Sequence, residues 1–413
     1  MKEIINRFGI VFLLTFVNGL SFTMLFPVLP FIVRSYTQPE YVLGILLGTF
    51  SFFQFIWAPI LGSLSDKYGR KPILAITQAG TLLAWVVLWI SYLLPSTQIF
   101  GFLLLPIVVI FFARMLDGIT GWNTAVSNAI FADLTDRKER SKILGFNSAV
   151  FGMALLVWPA LWSLSLSLSI WYLATALLWW VISLITLMLI LFVFWESLSV
   201  DKRDKELRIS FKKLNVISQV LKWWKNYKIR YTILMKFFIY IWFVTYTSVS
   251  VLYYIDVFWF SADRVWYYLT FTGSFLIFHQ IVSIPRLLKK FWDMYTLIIG
   301  MILMTIWFFG MWLAWENIVL YTIVYFFAIL GISSSFTTTS GLVSKSVDEK
   351  YQWEIAGLIT SIDSLVSIGV PILWTYLYSV LPFSIFYFVS MLPLIWIIIS
   401  IFLYKCIREM AEN

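Results

Sequence analysis

The sequence predicts an all-α membrane protein of twelve transmembrane helices, arranged as two six-helix halves related by pseudo-symmetry. Three observations carry that prediction. Of 413 residues, 61% are hydrophobic and only 12% charged, with a mean hydropathy of +0.89, whereas soluble domains carry about 25% charged residues. The apolar runs far exceed the roughly 10-residue alternating segments of a membrane barrel strand. Backbone polar groups in lipid must then be satisfied inside helices. Finally, equivalent features recur 213 residues apart, as detailed below.

Apolar runs bounded by charges and Pro/Gly breaks place six spans near 8–33, 42–64, 72–95, 103–131, 142–167 and 170–195. Six more fall near 231–256, 264–287, 293–314, 317–340, 354–379 and 381–405. The first run, Phe8 to Val33, is too long for the apolar region of a cleavable signal. The halves, 1–196 and 231–413, flank a basic central loop, 197–230, with ten Lys/Arg against three acids.

The 30 Lys and Arg residues set the orientation. With the N-terminus inside, only Arg34 and Arg264 fall in outer loops, and Arg114 lies within span 4. The others sit at the termini, in inner loops or just inside adjoining span ends. Lys/Arg excess marks the cytoplasmic side, so both termini and the central loop are expected to face the cytoplasm of a cell inner (plasma) membrane. Trp223 and Trp224 beside Lys222 and Lys225 predict an interfacial stretch against anionic headgroups. Nucleic acid is not an expected partner, because no folded basic domain is present. A single cysteine, Cys406, and a single histidine, His279, exclude a disulfide framework and a Cys/His metal cluster. No metal, no cofactor and no clustered enzyme site is expected.

The repeat pairs Gly118-Ile119-Thr120 with Gly331-Ile332-Ser333, Thr124 with Thr337, and Ser127 with Ser340. Asp136-Arg137-Lys138 corresponds to Glu349-Lys350-Tyr351, and Pro159 lies one residue out of register with Pro371. Asp66 to Lys71 has a weaker echo in Arg286, Lys289, Lys290 and Asp293. Duplicated halves suit a monomeric transporter that binds a small molecule between them and exposes it alternately to either side.

After span 2 the chain reads Gly62-Ser63-Leu64-Ser65-Asp66-Lys67-Tyr68-Gly69-Arg70-Lys71-Pro72. Gly69 permits a tight or left-handed turn, and the charges can latch the cytoplasmic face. Span 4 carries Arg114, Asp117, Gly118 and Gly121, then Asp133 at its inner end. Arg114 and Asp117 are three apart and can face one another on a helix. Ions inside a membrane helix are expensive and usually functional. Span 5 contains Gly145, Asn147, Gly152 and Pro159; span 11 contains Asp363, Gly369 and Pro371.

These strings resemble the signatures of the major facilitator superfamily, in particular its drug/proton antiporters of the tetracycline-efflux-like branch. The resemblance covers nearly the whole chain. It implies proton-coupled efflux of drugs or amphipathic molecules, powered by the proton gradient. It also implies a gate in which Asp133 pairs with Arg70, and a coupling role for Arg114. A sugar or metabolite transporter of the same fold is the alternative reading, and a non-transporting receptor or scaffold the second.

Departures from that pattern are informative. Related antiporters often bear an acid in span 1 where this chain has Asn18. Asp117, Asp256, Asp363 and His279 are the remaining candidates for proton coupling. Asp363 leads in the second half, since it lies mid-span without a basic residue adjacent in sequence. Gln54, Gln78, Asn123, Asn128 and Asn147 are candidate cavity donors. Trp122, Trp158, Trp162 and Trp353 occupy positions where the family patterns have small residues. The chain has 22 Trp and 19 Gly, and membrane helices pack on small residues. These tryptophans are read as glycines encoded by a recoded UGA codon.

Overall fold

The computed structural model describes residues 2–99, 103–121, 124–134, 171–206, 215–291, 293–314, 316–345 and 352–381, with isolated positions between 143 and 154 and between 391 and 398. The chain forms two compact units, Met1–Leu214 and Asn215–Asn413.

In the first unit, α1 (Lys2–Ser35), α2 (Glu40–Tyr68) and α3 (Arg70–Ser91) follow one another with short turns. A two-residue hairpin, β1 (Gln98–Ile99) with β2 (Leu103–Leu104), then leads into α4 (Leu105–Thr120). The sequence reading gave no sign of that hairpin and began span 4 inside it. The helix instead starts where Pro106 supplies the fixed backbone angle of a first turn. Beyond Gly121 lies α5 (Thr124–Leu134), and after the central part of the unit comes α6 (Trp171–Phe192).

Burial in α6 is inverted relative to a soluble helix. Leu177, Val181, Ile185, Met188 and Phe192 are exposed along one stripe, while Trp179, Ser183 and Thr186 are buried. Such a helix is stable only if its apolar stripe meets lipid. On the inner side, Trp85 stacks on Trp179 at 5.9 Å, and Gln78 Nε2 donates to Ser183 Oγ at 2.7 Å. The remaining core joins Phe8, Phe12, Leu74, Ile130, Phe131 and Phe194.

The second unit begins with a short helix, α7 (Val216–Trp223), followed by α8 (Tyr227–Val257). Asn215 and Asn226 cap them by accepting backbone N–H bonds from Ser218 and from Lys228 and Ile229. The end of the basic segment is thus already helical. Helix α9 (Ala262–Phe278) continues through a π-turn (His279–Ser283) into α10 (Ile284–Lys290), where the sequence suggested one uninterrupted span. Helices α11 (Asp293–Ala314), α12 (Ile318–Lys345) and α13 (Gln352–Val380) complete the described part. Asn317 caps α12 through the N–H groups of Val319 and Leu320.

The predicted repeat has a packing counterpart in each unit. A side chain at Gly118 would meet the Phe50 carbonyl of α2 at 2.5 Å; one at Gly331 would meet the Gly300 carbonyl of α11 at 2.6 Å. In both copies glycine allows two helices to touch backbone to backbone. Among the described residues six helical stretches are long and apolar enough to cross a membrane, which makes this a multi-pass membrane protein.

Candidate functional site

Three groups of charged side chains are built into these apolar helices. The first surrounds the turn between α2 and α3. Gly69 has φ +104°, and a Cβ there would overlap the Glu196 carboxylate and Arg203, so this position requires glycine. The turn delivers Arg70 into a buried position where it donates to three partners. Nη1 bonds Asp66 Oδ1 at 2.6 Å and Ser65 Oγ at 2.7 Å, and Nε bonds Asp133 Oδ2 at 2.9 Å. Arg70 and Asp133, 63 residues apart, therefore meet, as the family resemblance implies. Asp66 is the most open member, with its side chain 47% exposed. Among the described residues nothing lies within 4 Å of where a side chain at Gly62 would project, so none of them requires glycine there.

Glu196 escaped the sequence reading. Its carboxylate accepts the backbone N–H of Arg70 (2.9 Å) and of Lys71 (3.2 Å), the first two donors of α3. It also accepts the N–H of Leu198 and lies 3.7 Å from Arg203. A carboxylate at a helix N-terminus satisfies orphan donors and complements the helix dipole. The start of the central loop is tied down further by the Asp204 N–H, which donates to the Asp66 carbonyl at 3.1 Å.

The second group is the Arg114–Asp117 pair of α4. Arg114 Nη1 donates to Asp117 Oδ2 at 2.9 Å, with both side chains about nine-tenths buried. The guanidinium lies 4.5 Å from the centre of the Phe50 ring, a cation–π contact that eases its burial. Arg114 Nε is buried without a hydrogen-bond partner among the described residues.

The third group gives Asp363 a partner from another helix. No basic residue adjoins it in the chain, yet Lys236 of α8 places Nζ 3.7 Å from Asp363 Oδ2. Positive-inside counting groups Lys236 with the inner helix ends, but α8 begins at Tyr227 and places it in the third turn, its side chain 13% exposed. Toward the other ends of the same two helices, Tyr378 donates to Asp256 Oδ2 at 2.6 Å.

The other candidates vary. His279 is buried, with Nδ1 2.9 Å from Ser283 Oγ and Nε2 2.9 Å from the Phe326 carbonyl. Gln54 is half-buried, and Gln78 is buried against Ser183. Asn147 is buried, its Oδ1 without a described partner. Pro371 lies inside α13, and Gly369 has open space where a side chain would project. The side chains of Asn18, Asn128 and Trp353 lie outside the described residues, as do Trp122, Asn123, Gly145, Gly152, Trp158, Pro159 and Trp162.

Comparison with known proteins gives these features a context. A profile of the Major Facilitator Superfamily matches residues 11–371. The chain is 26% identical over 386 residues to the class H tetracycline resistance protein of Pasteurella multocida, covering 90% of this chain and 88% of the relative. It is 27% identical over 370 residues to the class C protein of Escherichia coli, covering 88% and 87%. Among solved structures, a D-xylose-proton symporter aligns with TM-score 0.74 at 15% identity over 98% of each chain. The human organic anion transporter MFSD10 aligns with TM-score 0.69 at 18% identity, covering 95% and 98%.

Proposed function

This chain belongs to the Major Facilitator Superfamily, and from that premise we propose that it expels drugs or other amphipathic small molecules in exchange for protons. The observation that carries the proton coupling is the Arg114–Asp117 pair, a cation and an acid held inside an apolar helix at 2.9 Å. Charges at such a depth are costly, and an acid in low dielectric binds and releases protons in a range that bulk water would not give it. The choice of amphipathic cargo is supported by the likeness to tetracycline resistance proteins along almost the full length of both chains.

In this reading Asp66, Arg70 and Asp133 latch the first half, and opening that latch accompanies exchange between access states. The Lys/Arg distribution supports a plasma membrane location with both termini in the cytoplasm. Helix α7 leaves Ile217 and Leu221 exposed beside Lys222, which suits a short helix lying on anionic headgroups. The protein works as a monomer without a cofactor, its energy source being the proton gradient.

The test is flux of a fluorescent amphipathic dye from proteoliposomes, with and without an imposed pH gradient. Gradient-dependent flux is expected for the unmodified protein and should disappear in Arg114→Ala. Equal gradient-driven flux in that variant would reduce the pair to a structural role.

A further inference from the structure

Lys236 and Asp363 form an ion pair without a direct hydrogen bond between them. A charge-assisted N–H···O bond spans about 2.7–2.9 Å, whereas Lys236 Nζ stops 3.7 Å from Asp363 Oδ2. Asp363 Oδ1 is buried with no hydrogen-bond partner among the described residues. The nearby serines do not help, because Ser361 and Ser364 donate to the Gly357 and Thr360 carbonyls of their own helix. The acid therefore feels a positive charge without receiving its hydrogen bonds.

What holds the ammonium is aromatic. Lys236 Nζ lies 4.8 Å from the centre of the Phe336 ring on α12 and 5.5 Å from that of Tyr240 on α8. Tyr240 is itself fixed by Ser367 of α13, whose hydroxyl donates to the phenol oxygen at 3.3 Å. Phe243 packs edge-on against Phe336 at 5.4 Å, backing the seat. Cation–π attraction is stronger in a desolvated site. It does not depend on the charge state of Asp363.

We infer that Lys236 and Asp363 form one proton-exchange site, in which Asp363 carries the proton and Lys236, parked on Phe336 and Tyr240, is a positioning residue that sets the pH of exchange. With the acid ionised, the ammonium neutralises it across the gap. When a proton binds Asp363 Oδ1 or Oδ2, the charge of Lys236 is not stranded, because the rings continue to hold it. The acid can thus change state while its neighbour stays in place. Lys236 and Tyr240 on α8 are the titratable groups that face Asp363 among the described residues; α12 contributes the Phe336 ring and α13 only hydroxyls. The site adds a residue to the proton-coupling reading given above and rests on it.

Infrared titration of the protein in liposomes tests this without knowledge of the substrate. The difference between wild type and Asp363→Asn isolates the carboxylic C=O band of Asp363, and its midpoint is followed with pH. Removing the ammonium takes away an attraction that only the ionised carboxylate feels. Lys236→Met should therefore move the midpoint to higher pH than in the wild type, by roughly 1–3 pH units. Lys236→Arg and Tyr240→Phe should leave it near the wild-type value. Lys236→Gln serves if the Met variant does not assemble. A merely structural role for Lys236 would lower the yield of folded protein without moving the band. No titrating band lost in Asp363→Asn, or an unmoved midpoint in Lys236→Met and Lys236→Gln, overturns the inference. Failure of the broader reading shows separately, as dye flux in the unmodified protein that ignores the pH gradient while the infrared titration stands.

Discussion

Replacing Glu196 by Gln should loosen the start of the central loop from the gate. One carboxylate currently accepts the first two N–H groups of α3 and the N–H of Leu198, while facing Arg203. Glutamine keeps one carbonyl oxygen but turns the other acceptor into a donor, set against the Lys71 N–H at 3.2 Å. A charge at a helix N-terminus is worth about 0.3–1 kcal/mol, and a hydrogen bond to a charged group about 1.5–3 kcal/mol. The side chain is 24% exposed, so water recovers part of this and a net loss of about 2 kcal/mol is expected. That corresponds to a roughly 30-fold larger population with the loop undocked. Trypsin reads this population through cleavage after Arg203 and Lys205, since cleavage follows the open fraction when reclosing is fast. Glu196→Gln should be cut about 10- to 30-fold faster than wild type. Glu196→Asp, which retains the charge on a shorter arm, should fall between them. Equal cleavage of Glu196→Gln and wild type would refute the idea that this carboxylate holds the loop on the gate.

Two further outcomes are expected. Gly118→Val forces a side chain against the Phe50 carbonyl, and Gly331→Val against that of Gly300; overpacking costs about 1–3 kcal/mol per site, so each should lower the thermal midpoint in detergent, and an unchanged midpoint would show that the helices can part freely. Peptides of the protein made by its own source should carry glycine at 122, 158, 162 and 353; UGG codons with tryptophan masses at those positions would end the recoding idea.

How much of this was legible in the sequence depends on how far each signal travels along the chain. Gly69 and Arg70 stand in one compact string, and the partner of Arg70 at Asp133 came with the family resemblance. The multi-pass helical character rests on composition, which needs no knowledge of contacts. Glu196 was invisible because a cap supplied by a residue 126 positions away leaves no local pattern. The π-turn at His279 was hidden for a related reason, since its ring is satisfied by Phe326 on another helix. Lys236 was in plain view but was absorbed into the tally of inner-side cations. A lysine well inside an apolar span, in a half that also has an acid mid-helix, was the available clue.

The two halves share a glycine contact yet differ in how they hold charge, and that difference has mechanical consequences. Arg114 and Asp117 are three residues apart on α4, so their bond survives any motion that carries the helix as a body. Lys236 and Asp363 lie on α8 and α13, 127 residues apart, with Phe336 of a third helix behind the ammonium. Their separation changes whenever α8 slides or tilts against α13. Attraction between charges falls with distance and with access of water, so a small shift between these helices alters how readily Asp363 gives up its proton. The reverse follows from the same coupling: protonating Asp363 removes an attraction between α8 and α13 and makes that shift easier. The link to Asp256 through Tyr378 joins the same two helices nearer their opposite ends. The bond within α4 is not itself broken by such a motion, and the first half also has the Arg70 cluster, which ties α2, α3 and α5 together at one end. On the proposed reading, proton occupancy in the second half and latch opening in the first both act through bonds between helices, which a change of access can make or break.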